Sequence, residues 1–341
     1  MGNLCSLLSP KLPHNHFNSS NRTRSVTKQH RSHPSGSLRF LHHHHHLPSP
    51  SNSNNTAFPR TSNSIHRPLL QPPNQDTKLG DLDTNHFVLV HGGGFGAWCW
   101  YKTIALLQET GFKVAAIDLT GSGVSSFDTN NITSLSQYVK PLTDFLQNLP
   151  QGEKVMLVGH DFGGTCVSFA MELFPSKISK AVFIAAAMLR SGQNTLDIFS
   201  QQAGSNDLMQ QAQNFSYANG NNHPPTSFGL DKSLLRDLLF NQSPAKDVAL
   251  ASVSMRPIPF APVLEKLTLS DLKYGSVRRF YIETLEDNAI PITLQENMIN
   301  TSPPEKVFRL KGADHSPFFS KPQALHKSLV EISKIPGEKS T

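Results

Sequence analysis

Three polar residues far apart in the chain, each in a turn that follows an apolar run, could share one reaction: Asp161, Asp287 and His315. Asp161 stands in Val158-Gly159-His160-Asp161-Phe162-Gly163-Gly164, between a strand-like and a helix-like stretch. This is the Gly-x-nucleophile-x-Gly frame of a sharp strand–turn–helix elbow. The bend needs small neighbours, which explains Gly159 and Gly163. The helix behind it aims N–H groups and the positive end of its dipole at whatever reacts there. The usual nucleophile of such a frame is serine; here it is an aspartate. His315 closes Gly312-Ala313-Asp314-His315, and Asp287 lies in Glu286-Asp287-Asn288-Ala289-Ile290-Pro291. The chain order nucleophile, acid, histidine suits that architecture. Adjacent side chains rarely face one another, so Asp287 is preferred to Asp314, and also to Glu286, as the acid that orients His315. Upstream, His91-Gly92-Gly93-Gly94 offers a backbone N–H at Gly93 that can pair with that of Phe162 around a developing oxyanion.

A carboxylate at the elbow changes the chemistry. Serine is weak until a histidine removes its proton, whereas a carboxylate is already ionised at neutral pH, so His315 would instead take a proton from water in a second step. Attack of Asp161 on an ester carbonyl gives a mixed anhydride. Attack on an sp³ carbon gives an alkyl-enzyme ester, cleaved when water adds to the Asp161 carbonyl beside the two N–H groups. Carboxylates at 161 and 287 favour imidazolium at His315, which predicts a basic-shifted pH profile for any activity that needs the neutral ring.

Elements able to position these residues are visible in the apolar pattern. Phe87–Val90, Lys113–Ile117, Lys154–Val158, Ala181–Ala185, Val277–Ile282 and Lys306–Leu310 are short runs of strand formers. Their apolarity is continuous rather than alternating, as in a parallel sheet covered on both faces. Helical segments lie between them at Trp98–Glu109, Leu135–Leu149, Phe162–Phe174, Pro291–Ile299 and Lys321–Ile335. The alternation predicts an α/β class, a doubly wound, mostly parallel sheet with right-handed crossovers. Residues 190–270 break the rhythm with Gln-, Asn- and Ser-rich stretches and helical patches at Ser233–Phe240 and Lys246–Ser254, read as a helical cap over the active-site face. Met188, Phe199, Met209 and Phe260 either line an acyl pocket or simply pack the cap. Asp118 is read as holding the Gly121-x-Gly123 turn, His91 and His160 as hydrogen-bonding supports, Trp98 and Trp100 as core, and His326 as solvated. There is no phosphate loop, dinucleotide turn or metal-ligand cluster, so neither cofactor nor metal is expected.

The stretches HFVLVHGGGFGAWCWY (86–101), LVGHDFGG, AMELFPSKISKAVFIAA, EDNAIP and KGADH together resemble the plant methylesterase family of the α/β-hydrolase superfamily. That family includes esterases of salicylate, jasmonate and indole-acetate methyl esters and related hydroxynitrile lyases. The resemblance spans 86–336 and implies an α/β-hydrolase fold, a small-molecule ester substrate, Asp161 as nucleophile, Asp287 as orienting acid, His315 as base, and oxyanion N–H groups from Gly93 and Phe162. The departure is the aspartate itself. It leaves two further readings open: an aspartate-nucleophile hydrolase of the epoxide-hydrolase type, and a catalytically silent binding protein. Against the first, Phe162 has no ring N–H for a halide, the loop after His91 lacks a proline, and Tyr217 is the sole tyrosine between 190 and 270.

Residues 1–85 are a different polymer. They hold nine Lys/Arg and three Asp/Glu, whereas 86–341 balances 22 basic against 22 acidic residues, so the net +6 belongs to the extension. Rich in Ser, Asn, Pro and His and poor in apolar runs, the extension is expected to be disordered, with His42–His46 a low-complexity patch. The folded part offers no basic face for nucleic acid. An Arg- and Ser-rich leader whose first acid is Asp76 reads as a transit peptide, and the resembling subgroup is expected in the chloroplast. The start Met1-Gly2-Asn3-Leu4-Cys5-Ser6 also fits N-myristoylation, with Cys5 placed for a second acyl chain that would make membrane anchoring stable. Three cysteines, Cys5, Cys99 and Cys166, form no framework and suit a reducing compartment.

Overall fold

The computed structural model describes residues 82–200 and 207–337. Gly2, Cys5 and the histidine run lie outside them, as does all of the extension but its last four residues. The first half of the chain runs β1 (His86–Val90), α1 (Tyr101–Glu109), β2 (Lys113–Ile117), α2 (Leu135–Gln147), β3 (Val155–His160), α3 (Gly163–Leu173) and β4 (Ile178–Ile184). An insertion follows with α4 (Thr195–Ser200), α5 (Asp207–Ala212), β5 (Gln213–Ser216), β6 (Ser227–Leu230), α6 (Leu235–Leu239), α7 (Ala245–Ser254), β7 (Ile258–Pro259) and α8 (Phe260–Leu264). The chain then returns through β8 (Arg278–Thr284), α9 (Ile292–Thr301), β9 (Lys306–Leu310), α10 (Pro317–Ser320) and α11 (Pro322–Lys334).

Six strands form one sheet in the order β2-β1-β3-β4-β8-β9, each pair parallel. Successive residues of a strand feed opposite faces. Phe87 and Leu89 of β1 join Met156 and Val158 of β3 and the buried faces of α1 and α11. Val88 and Val90 join Leu157, Phe183, and α2, α3 and α9 on the other side. All of β3 is buried, which is why the sheet runs read as continuously apolar. The expected helices and strands are present with ends moved by a few residues. β3 runs on to His160, so the elbow begins at the strand's last residue.

The insertion differs from the helical cap expected for it, because β5, β6 and β7 form a three-stranded antiparallel sheet beside its helices. Rings of Phe215, Phe228 and Phe260, with centroids 5.8–6.2 Å apart, pack on it. Polar clamps tie the insertion to the start of α1 and to loops beside the main sheet. Asp247 of α7 accepts hydrogen bonds from Tyr101 Oη (2.6 Å) and Lys102 Nζ (2.5 Å). Asn130 Oδ1 accepts from Thr226 Oγ1 (2.7 Å) and Ser227 Oγ (2.9 Å). The Arg256 N–H donates to the Gly94 carbonyl at 2.9 Å.

Candidate active site

At the carboxyl edge of the sheet, β3 stops at His160 and α3 starts at Gly163, leaving two residues to reverse the chain. Asp161 makes the bend with φ of 51°, in the left-handed region. An aspartate there costs roughly 1–2 kcal/mol. Its carbonyl is held by N–H groups of Gly164 and Ala187, both at 3.0 Å. Only glycine fits behind the bend, since a Cβ on Gly163 would lie 2.5 Å from the His91 carbonyl oxygen. The loop after β1 is pressed as closely, and a Cβ on Gly92 would meet the Asp161 Cβ at 2.7 Å.

That closeness sets the main feature of the site. The Gly93 N–H donates to Asp161 Oδ2 at 2.8 Å, and the Phe162 N–H donates to the same carboxylate. The two groups expected to receive a substrate's oxyanion thus hold the side chain at the nucleophile position. Phe162 itself is buried, its ring stacked on Tyr138 with centroids 5.4 Å apart.

On the far side, His315 Nδ1–H donates to Asp287 Oδ2 at 2.9 Å. Asp287 is fixed by three more donors, Thr284 Oγ1 (2.9 Å) and the N–H groups of Ala289 and Ile290 (both 2.8 Å). The alternative acids are engaged elsewhere. Asp314 Oδ2 accepts from the Gln242 N–H (2.9 Å) and Ser243 Oγ (2.8 Å), clamping the insertion to the histidine loop, and Glu286 accepts from the Gly312 N–H at 2.6 Å. His160 Nε2 donates to the His315 carbonyl at 2.7 Å, its ring 4.6 Å from that of His315 and edge-on to Phe95, Trp100 and Phe318.

Electrostatics follow from this placement. Burial alone would depress the His315 pKa. The charge and hydrogen bond of Asp287, then the charges of Asp161 and Asp314, overcome it and raise the pKa to about 9. Burial raises the pKa of Asp161, against the opposing pull of His315 and the Phe162 and Gly93 N–H groups. His160 is held well below the usual histidine value by burial and by the neighbouring His315, so it stays neutral. The His315 ring is therefore held toward its protonated form by Asp287 first and by Asp161 and Asp314 after it, while burial pulls Asp161 toward its neutral form.

Asp118 does hold the expected turn, accepting from the Ala97 N–H (2.7 Å) and the Val124 N–H (3.2 Å). His91 accepts the Leu119 N–H at its Nε2 (3.1 Å). Trp100 is buried and Trp98 stacks between Phe95 and Phe319. Met188, Phe199, Met209 and Phe260 pack with other apolar or aromatic side chains. His326 departs from the solvated role read for it: it is half-buried on α11 and bonded to Thr110 Oγ1 at 3.1 Å, because α11 lies against α1. The links from His160 to the His315 carbonyl and from Asp314 to the insertion had no local sequence signal beyond their neighbours in the motifs. Among the described residues no cluster of His, Cys, Asp and Glu could hold a metal, and no helix is long and apolar enough to cross a membrane.

Residues 87–327 match the model of the alpha/beta hydrolase family. A relative from Arabidopsis thaliana named "Putative methylesterase 11, chloroplastic" is 74% identical over 290 residues, covering 83% of this chain and 74% of its own. "Methyl jasmonate esterase 1" of Vitis vinifera is 40% identical, over 72% of this chain and 96% of its own. The crystal structure of the Arabidopsis methylesterase protein MES16 superimposes with a TM-score of 0.66 at 36% identity, over 72% of this chain and 98% of that one.

Proposed function

The chain belongs to the alpha/beta hydrolase family, and on that premise we propose that it hydrolyses small methyl esters of carboxylic acids with Asp161, His315 and Asp287 as the reacting set. The observation that carries the reading is the hydrogen-bonded arrangement itself: a carboxylate at the elbow held by two N–H groups, facing a histidine fixed by a second carboxylate. Asp161 acts as nucleophile, His315 as proton acceptor for water and Asp287 as its orienting acid, while the Gly93 and Phe162 N–H groups stabilise the oxyanion of the tetrahedral stage. The substrate is a small-molecule ester, and relatives named as esterases of such compounds support that class. Epoxide opening fits less well, because Tyr217, the lone phenol between 190 and 270, is 39% exposed. The silent binding protein is the second reading, favoured by the fact that the N–H pair is already filled.

Residues 86–336 form the catalytic domain in this proposal, with 190–270 as its cap. Residues 1–85 direct the protein to the chloroplast, as the name of the Arabidopsis relative supports. Acylation at Gly2 and Cys5 is the alternative address, and a Gly2→Ala fluorescent fusion that leaves the chloroplast unchanged excludes it.

The full chain is tested on a panel of methyl esters that includes methyl jasmonate, with release of the free acid as readout. Hydrolysis is expected, falling at least about a hundredfold in Asp161→Asn and His315→Gln. A panel left intact, with ligand-dependent thermal stabilisation in its place, selects the binding protein.

A further inference from the structure

We propose that the enzyme cleaves the alkyl–oxygen bond of its ester, taking the methyl group onto Asp161 rather than the acyl group. The inference rests on the reading of the chain as a methyl-ester hydrolase and names the bond that breaks.

The argument begins with the filled N–H pair. Attack on an ester carbonyl generates an oxyanion on the substrate, and that charge needs donors that avoid the bulk solvent. Here the Gly93 N–H, 2.8 Å from Asp161 Oδ2, and the Phe162 N–H already serve the nucleophile's own carboxylate. Moving the carboxylate out would empty the donors only by stripping the half-buried side chain of its hydrogen bonds. No displacement is needed if the electrophile is the ester's methyl carbon. A lone pair of Asp161 Oδ1 then forms the new C–O bond while the bond from methyl to ester oxygen breaks. The electron pair leaves on the departing carboxylate, and no base takes part.

The second half uses the same donors in place. Once methylated, Asp161 carries no charge, so His315 loses that part of the pull toward the protonated ring, the smaller part beside that of Asp287, and the second half proceeds from the fraction of the ring that has released its proton to solvent. Asp287 and Asp314 still face it, and neutral His160 lies alongside. Neutral His315 accepts a proton as water adds to the Asp161 carbonyl carbon. The carbonyl oxygen, Oδ2, becomes the oxyanion to which the Gly93 N–H already points at 2.8 Å, with the Phe162 N–H on the same carboxyl group. Collapse expels methoxide, which takes the proton from His315 and leaves as methanol. The remaining hydroxyl proton passes to His315 and restores the carboxylate–imidazolium pair. The carboxylate that leaves in the first half and the methanol of the second together account for one ester and one water.

The experiment follows the ester's own alkoxy oxygen. The full chain is incubated with methyl jasmonate bearing heavy oxygen between carbonyl and methyl, and acid and methanol are analysed by mass spectrometry. Retention of the label in the acid is expected, together with inertness toward the phenyl ester, whose carbon on the ester oxygen is sp² and closed to displacement. In His315→Ala, mixed with the ester and digested, the Asp161 peptide should gain the mass of one methylene. Label in the methanol overturns the proposal and leaves the esterase reading intact. Absence of both acid and methylated peptide, in a protein with unchanged circular dichroism, removes the esterase reading and the proposal with it.

Discussion

The sheet edge and the insertion face the same chemistry but are held by different forces. At the edge, position is set by backbone against backbone: strands with no exposed apolar residue, and a bend where Gly163 leaves no room even for a methyl group. The insertion carries short helices and strands of two to four residues, joined to the loops below by side-chain hydrogen bonds from Asp247, Asn130 and Asp314. A close-packed interior tolerates little change, whereas polar clamps can be exchanged singly. In the proposed reading, then, the reacting groups are placed by the part that cannot vary, and the face toward the substrate's remainder by the part that can.

This contrast breaks if substitutions in the two regions act alike. Phe183→Ala, deep in β4, should destabilise by about 4 kcal/mol in urea denaturation. Alkaline pH comes next. The folded His315 pKa of about 9 lies above its ordinary value of 6.5, so its contribution is complete below pH 6.5 and lost as pH rises through 9. That loss is on the order of 3 kcal/mol, and denaturation curves at the two ends of this range should show it shrinking in Asp161→Asn. Equal curves would mean that elbow and imidazole do not sense each other. Gly163→Ala should cost about 2 kcal/mol through overpacking and reduce turnover as well. Asp247→Asn should cost only about 1 kcal/mol, since Lys102 is 25% exposed, but should raise KM and speed proteolysis within 190–270. Lys140→Ala, which removes an exposed pair on α2 with 65% and 50% side-chain exposure, is the control and should stay within about 0.5 kcal/mol.

The same division explains what could be read from residue order. Lys113–Ile117 and Lys306–Leu310 are strands to the residue because buried parallel strands announce themselves as unbroken apolar runs bounded by turns. Asp161, Asp287 and His315 could be singled out as candidates because each sits in a turn with its own glycine or proline. β5 and β6 could not, since QNFS and SFGL are four-residue pieces with one apolar aromatic each before the pairing and the Phe260 ring complete the cluster. Nor could any local pattern show that the Gly93 N–H and the Asp161 carboxylate, 68 positions apart, satisfy one another. Two parts separately assigned to nucleophile and to oxyanion binding turn out to be bonded partners.

The left-handed backbone at Asp161 has an evolutionary consequence. Glycine would adopt that φ of 51° without strain and would bury no charge, so Asp161→Gly should melt higher than the parent while losing all turnover. Greater robustness is thus available at this one codon only by giving up the side chain that the proposed reaction uses.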